Sequence, residues 1–269
     1  PPSSASIFET TPAACSTCNV GSMLRQEERI QAARAAVDYV TSRPSDQLVV
    51  AVPNCPGWTV YNAAVHICRA SVFWEYMMAY PPTDTDARSK ALRRVTELPT
   101  GVEPAELASW AHRALDQMAT DDPTPVYFSM TGGAGTAALW AWHAASEIGI
   151  HRLDVEAALN HPHQITDAEA LDSALYAAEY FMPALRVDAS EDPGEVTMEL
   201  LADTGGLVGS AVIGSASAHR VTMRGPSAQV LLAIWGRPHE HVVVSSGDPA
   251  VLEAWQALPG KVKQFGTWT

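Results

Sequence analysis

Apolar residues recur with the period of a helix over roughly the first two thirds of the chain and alternate with the period of a strand over the last third. Leu24, Ile30, Ala33, Val37 and Val40 share one face between Met23 and Thr41, which predicts an amphipathic helix ending at Ser-Arg-Pro-Ser. Two prolines and a glycine between Leu48 and Thr59 force a loop, and Thr59 can cap a second helix running to about Tyr80. A third helix is predicted from Glu103 to Met118, with Pro104 in its first turn and Leu107, Trp110, Ala111, Leu115 and Met118 on one stripe. A fourth spans about Ala137 to Leu159, and a fifth runs from Asp167 to Met182, where Pro183 should stop it. Thr131-Gly-Gly-Ala-Gly135 lacks the lysine of a phosphate loop and reads as a flexible connector.

Beyond the fifth helix, Arg186 to Glu195 is acidic and turn-forming, a natural domain boundary. Short alternating runs follow at Val196 to Ala202, Leu207 to Ile213 and His219 to Met223, then a helix from Ser227 to Trp235, a strand at Val242 to Ser245 and a helix opening at Asp248. The expected organisation is a flexible tail over 1–21, a helical bundle over 22–185, a linker over 186–195 and a small α+β domain over 196–269.

Composition narrows the class. The 269 residues are 47% hydrophobic and 17% charged, the profile of a globular protein. Seventeen basic against thirty acidic side chains leave a formal charge of −13, which repels phosphate backbones and argues against nucleic acid as a partner. Four cysteines, Cys15, Cys18, Cys55 and Cys68, are too few and too unevenly placed for a disulfide framework and read as reduced thiols. No apolar run approaches the ~20 residues of a membrane span, and no basic-then-apolar leader opens the sequence, so the expected location is the cytoplasm, away from membranes.

Candidate chemistry sits on the fourth helix. His143, Glu147 and His151 recur every four residues and share one face, with Asp154 three residues further on. His66, in an otherwise apolar stretch of the second helix, needs something to bond. Two imidazoles and a carboxylate around a divalent ion leave a coordination position open, as catalytic sites require, with zinc the first choice. Equally open at this level are a core His66 bonded to a carbonyl and an ordinary surface pair of Glu147 with His151; Asp154 could orient the His151 imidazole from behind, although a solvated carboxylate is the commoner state of such a residue. His143 ranks below the other three as a ligand and is the candidate for a substrate contact.

Three segments together resemble a known family: Val52-Pro-Asn-Cys-Pro-Gly-Trp-Thr59 leading into the helix of His66, Glu147-Ile-Gly-Ile-His-Arg-Leu-Asp154, and Gly225-Pro-Ser-Ala-Gln-Val-Leu-Leu-Ala-Ile-Trp-Gly-Arg237 followed by Val244-Ser-Ser-Gly-Asp-Pro-Ala250. They resemble, in order, the mycothiol-dependent maleylpyruvate isomerase group of the DinB-like metalloenzymes. The resemblance implies a DinB-like four-helix bundle followed by a small sterol-carrier-like α+β domain. It places the metal ligands on His66, Glu147 and His151, implies zinc or a similar divalent ion, and makes mycothiol the thiol cosubstrate. Arg237 then becomes a catalytic candidate facing the metal across the domain cleft, alongside His143. The expected function is metal-dependent mycothiol S-transfer to a small electrophile, with maleylpyruvate cis-trans isomerisation as the alternative and a metal-free small-ligand module as the reading of another class.

Overall fold

The computed structural model describes residues 23–186 and 193–258; Cys15, Cys18 and most of the expected tail and linker lie outside the described residues. Four long helices form the bundle: α1 (Gln26–Thr41), α3 (Val60–Met78), α5 (Pro104–Met118) and α6 (Ala137–Ala158). Each contacts the other three. Their apolar stripes meet in one core, with Val37, Ile67, Leu115 and Ile148 shielded from solvent. Thr59 caps α3, accepting from the Asn62 amide while the Asn62 side chain accepts from the Thr59 amide. Thr136 caps α6. Arg29 of α1 donates twice to Asp172 and lies over the Trp142 ring, whose Nε1 donates to the Asp172 carbonyl, so one buried cluster ties α1, α6 and the next helix together.

Three elements escape the hydrophobic pattern. The short helix α2 (Ser45–Leu48) buries no residue at all. Helix α4 (Ala87–Thr96) buries only Ala87, Ala91 and Val95, a stripe too thin and too alanine-rich to stand out. The glycine run is not a flexible connector: β1 (Val126–Phe128) pairs antiparallel with β2 (Gly133–Gly135). A Cβ at Gly135 would lie 2.5 Å from the Cβ of Phe128, so glycine is needed for the strands to close over the core. The fifth predicted helix also continues past Pro183. Helix α7 (Asp167–Tyr176) passes through a π turn at Ala177–Phe181 into α8 (Met182–Arg186), which puts Pro183 at the start of a new segment where its missing N–H costs little.

The α+β part is a four-stranded sheet of order β4-β3-β5-β6: β3 (Glu195–Leu201), β4 (Leu207–Ile213), β5 (Arg220–Pro226) and β6 (Val243–Gly247). The β3 and β5 strands run parallel and the other pairs antiparallel. Helices α9 (Ser227–Ile234) and α10 (Pro249–Gln256) pack on it. The sheet rests on the bundle through α7 and the π turn. Leu171 presses on the backbone of Gly209, and Phe181 stacks on Trp235 with ring centroids 4.2 Å apart. That contact carries the end of α9, and Arg237 with it, towards α6. No helix among the described residues is long and apolar enough to cross a membrane.

Helix α6 holds one weak point, Gly149, mid-helix between Glu147 and His151. Nothing lies within 4 Å of where its Cβ would stand. Gly149→Ala is therefore expected to raise stability by about 0.5–1 kcal/mol, the ordinary helix-interior difference, and thermal unfolding should show a higher midpoint; a lower one means that the backbone there is not helical in the way described.

Candidate metal and thiol site

The turn from Val52 to Trp58 is closed by backbone bonds at 2.9–3.0 Å and by Gly57, whose φ of +87° suits a residue without a Cβ. It folds Asn54, Cys55 and Trp58 over the first turns of α3. His66 faces α6 from α3, and the four-residue spacing on α6 brings Glu147 and His151 to meet it. Glu147 Oε1 lies 3.8 Å from His66 Nε2 and 3.6 Å from His151 Nε2, and the three donor atoms fall within 4.8 Å of one another. Ligands at about 2.1 Å in a tetrahedron stand roughly 3.4 Å apart, so this set is close to coordination spacing.

These gaps exceed hydrogen-bond length, which leaves the group short of partners. His66 Nδ1 is buried without a partner, so Nε2 is the atom left to satisfy the ring. Burial lowers the His66 pKa. Burial also favours neutral Glu147, but His151 and His66 hold the carboxyl well below the usual range. At His151 burial opposes charge, and Asp154, Cys55 and Glu147 outweigh it, lifting the pKa well above the ordinary value. Two carboxylates thus flank the His151 ring, Asp154 at Nδ1 and Glu147 at Nε2, and the His66, Glu147 and His151 donor set fits a divalent ion. Trp58 covers the pair, its ring 4.7 Å from His66 and 5.6 Å from His151.

Behind His151 lies a second node. Asp154, expected as a solvated carboxylate, is completely buried. It receives His151 Nδ1 at 3.1 Å, Asn54 Nδ2 at 3.0 Å, Cys55 Sγ at 3.4 Å and Arg237 twice, Nε at 2.9 Å and Nη2 at 3.0 Å. Asp154 stays ionised: burial works against its charge, and His151 and Arg237 overcome it. Cys55, His151 and Asp154 also lie within 4.8 Å of one another. Arg237 already occupies both Asp154 oxygens, which makes this trio a support for His151 Nδ1 and leaves Nε2 to face the triad.

Arg237 crosses from the sheet domain to α6, as a residue facing the site should, yet its partner is Asp154, and its remaining Nη1 donates to the Trp235 carbonyl. Arg69, three residues beyond His66, and Arg152, one beyond His151, point elsewhere: Arg69 to the Leu98 and Pro99 carbonyls, Arg152 to Glu156 and Gln164. His143 is buried one turn before Glu147, its Nδ1 2.5 Å from the Tyr176 hydroxyl. Of the aromatic residues near the triad, Trp74, Trp140, Phe73 and Trp142 are core, and Trp58 alone covers the imidazoles. Asn54, Cys55 and Tyr176 went unread in the sequence. The odd composition of the Pro-Asn-Cys-Pro-Gly-Trp loop was the one available signal for the first two, and Tyr176 carried none.

Burial takes the His143 pKa from 6.5 down to about 4. Between those values the unfolded chain binds a proton that the native protein refuses, so stability rises with pH through this window and is lost as pH falls from 6.5 to 4. The contribution is on the order of 3 kcal/mol. His143→Gln, which cannot titrate, is expected to flatten acid unfolding over that range; an unchanged pH profile would place the acid sensitivity elsewhere.

Two histidines and a carboxylate thus converge inside a helical bundle that a sheet-bearing part packs against, a donor set that could hold a divalent ion. Residues 30–156 match the family model of the mycothiol maleylpyruvate isomerase N-terminal domain. Two solved structures share the whole fold. A crystal structure of the mycothiol-dependent maleylpyruvate isomerase is 16% identical, with a TM-score of 0.55 over 84% of this chain and 95% of that one. A histidine-to-alanine mutant of that isomerase aligns over the same shares at 15% identity and a TM-score of 0.55. No curated protein matches the sequence.

Proposed function

We propose that this protein is a metal-dependent mycothiol S-transferase acting on a small, uncharged electrophile. The observation that carries the reading is the convergence of His66, Glu147 and His151 on one buried point roofed by Trp58. A divalent ion held there, zinc first, would lower the pKa of an arriving thiol and supply a thiolate nucleophile at neutral pH. The chain's own groups prepare that event. Glu147 provides the one anionic donor and His66 a neutral imidazole. Asp154 fixes the His151 ring so that Nε2 faces inward, and Arg237 holds Asp154. Trp58 limits the access of water to the imidazole edges.

Transfer is preferred to isomerisation by the placement of the arginines. A dianion such as maleylpyruvate calls for cationic partners, ideally guanidinium forks. Arg69 of α3, Arg152 of α6, Arg29 of α1 and Arg237 beyond α9 are each committed to protein acceptors. Maleylpyruvate isomerisation stays the second reading, favoured by the family name. A metal-free ligand module is the third.

Elemental analysis of the purified protein, followed by mycothiol titration, tests the reading. The expected result is stoichiometric divalent metal whose coordination changes on thiol addition. A protein that holds no metal and cannot be reconstituted returns the three residues to a structural role. Robust maleylpyruvate isomerisation without thiol transfer would select the second reading.

A further inference from the structure

On the side of α6 away from the triad, helices α1, α6, α7 and α9 enclose a recess. It holds about 490 Å³ of atom-free space, its mouth to solvent included, between Ala32 and Ala36 of α1, Ala145 and Gly149 of α6, and Leu231 of α9. Gly149 stands two residues from both Glu147 and His151, which turns it about 200° round the helix from either. The recess and the triad therefore share a helix without sharing a face. The walls are small residues, and nothing lies within 4 Å of where a Gly149 Cβ would stand. Two hydroxyls in this apolar wall lack partners. Ser146 of α6 is 1% exposed and Ser173 of α7 is 6% exposed; both line the recess, and neither Oγ is hydrogen-bonded among the described residues. Other buried hydroxyls of this bundle return their proton to the carbonyl one turn back, as Thr41 does to Val37 and Ser71 to Ile67. Ser146 and Ser173 do not, so each keeps the cost of leaving water with no bond in return.

The charged groups around the recess are already paired. Asp172 accepts twice from Arg29, Arg152 donates to Glu156 and Gln164, and Glu169 accepts from Thr166. What the recess offers is apolar contact and two neutral hydroxyls, which suits a molecule without charge. We propose that it is a second small-molecule site, for a compact uncharged ring alcohol of which phenol is the simplest, held by Ser146 and Ser173 against the alanine and glycine wall. A ligand hydroxyl matches a serine in either sense, because each can donate or accept. The volume lies in the range of small-ligand pockets and part of it is open to solvent, which favours a single ring over a lipid chain or a nucleotide. No residue of the triad or of the Asp154 node takes part, so the site goes beyond thiol transfer and does not depend on it.

Amide NMR of the full-length protein, titrated with phenol and with toluene, its near-isostere without a hydroxyl, tests this. Phenol is expected to bind once per chain with a Kd below about 1 mM, and the Ser146, Gly149 and Ser173 amides should move most. Gly149→Leu places a side chain in the recess from a helix position that has room for it, and should weaken both compounds at least about tenfold while circular dichroism stays that of the wild type. Ser146→Ala/Ser173→Ala removes unpartnered groups, so it should unfold at no lower a temperature, and its preference should shift at least about tenfold towards toluene. Absence of saturation by about 10 mM phenol, shifts centred on His66 and His151, or undiminished binding in Gly149→Leu would overturn the proposal. An unchanged phenol-to-toluene ratio in the serine double variant would do the same, as would a lowered unfolding midpoint there, which would give the two hydroxyls a structural role. No arm of the test needs metal or thiol, so its outcome stands apart from that of the thiol-transfer reading.

Discussion

His151→Ala is expected to give a folded protein that holds little metal and transfers thiol at no more than about a hundredth of the wild-type rate. Ionisation alone accounts for a large part. A thiol with a pKa near 8.5 is only about 3% thiolate at neutral pH, so losing the group that ionises it costs roughly thirtyfold. Loss of the fixed approach between sulfur and electrophile multiplies that figure. The fold should survive because His151 contributes an edge to the site rather than volume to the apolar core, although Asp154 loses one of its four donor residues and stability will fall somewhat. His66→Ala should behave alike in activity, since its Nε2 faces the same carboxylate oxygen. Circular dichroism, metal analysis and a thiol-transfer assay on each variant check this. Full activity in either one would remove the triad from the mechanism.

Asp154→Ala carries the largest expected cost in stability. The carboxylate is wholly buried and the Arg237 side chain nearly so, and the two form a bidentate pair between the domains. Removing one partner of such a pair leaves the other charge buried and uncompensated, at about 3–5 kcal/mol. His151 also loses the acceptor that orients it, which should weaken metal binding by about 10–100-fold. Arg237→Leu is expected to destabilise as well, with a smaller effect on the metal, because Asp154 keeps His151 Nδ1, Asn54 and Cys55. In the double variant Asp154→Leu/Arg237→Leu no charge is stranded, and stability should return part of the way while metal affinity stays low. Chemical denaturation paired with metal titration separates the two effects. A loss below about 1 kcal/mol in Asp154→Ala, with metal affinity intact, would show that the node neither holds the domains nor steers His151.

The latch also bears on how the two parts of the molecule cooperate. Arg237 lies just beyond α9 in the sheet domain, and its contact with Asp154 is one residue away, in hydrogen bonds, from a triad imidazole. Any change that separates the sheet domain from α7 strips Asp154 of its guanidinium and alters the field at His151. The stacking of Phe181 on Trp235 and the pressing of Leu171 on Gly209 hold that arrangement in place.

Periodicity alone determined much of this protein: the long helices, the change from helical to strand spacing after residue 186, and the facing of His143, Glu147 and His151 on one side of α6. These are legible because a helix repeats every 3.6 residues and a strand every two, whatever surrounds them. Elements with thin stripes or special backbone needs, such as α4, the Gly133–Gly135 strand and the π turn before Pro183, depend on neighbours that no local pattern encodes. The same holds at the site. Nothing in the sequence pairs Asp154 with Arg237, which stands 83 positions later, or Tyr176 with His143, 33 positions earlier. Whether a carboxylate is solvated or buried, and whether an arginine is free for substrate or spent on the protein, is decided by which surfaces the domains bury against each other. That burial sets the charge each group can carry, and only the tertiary structure contains it.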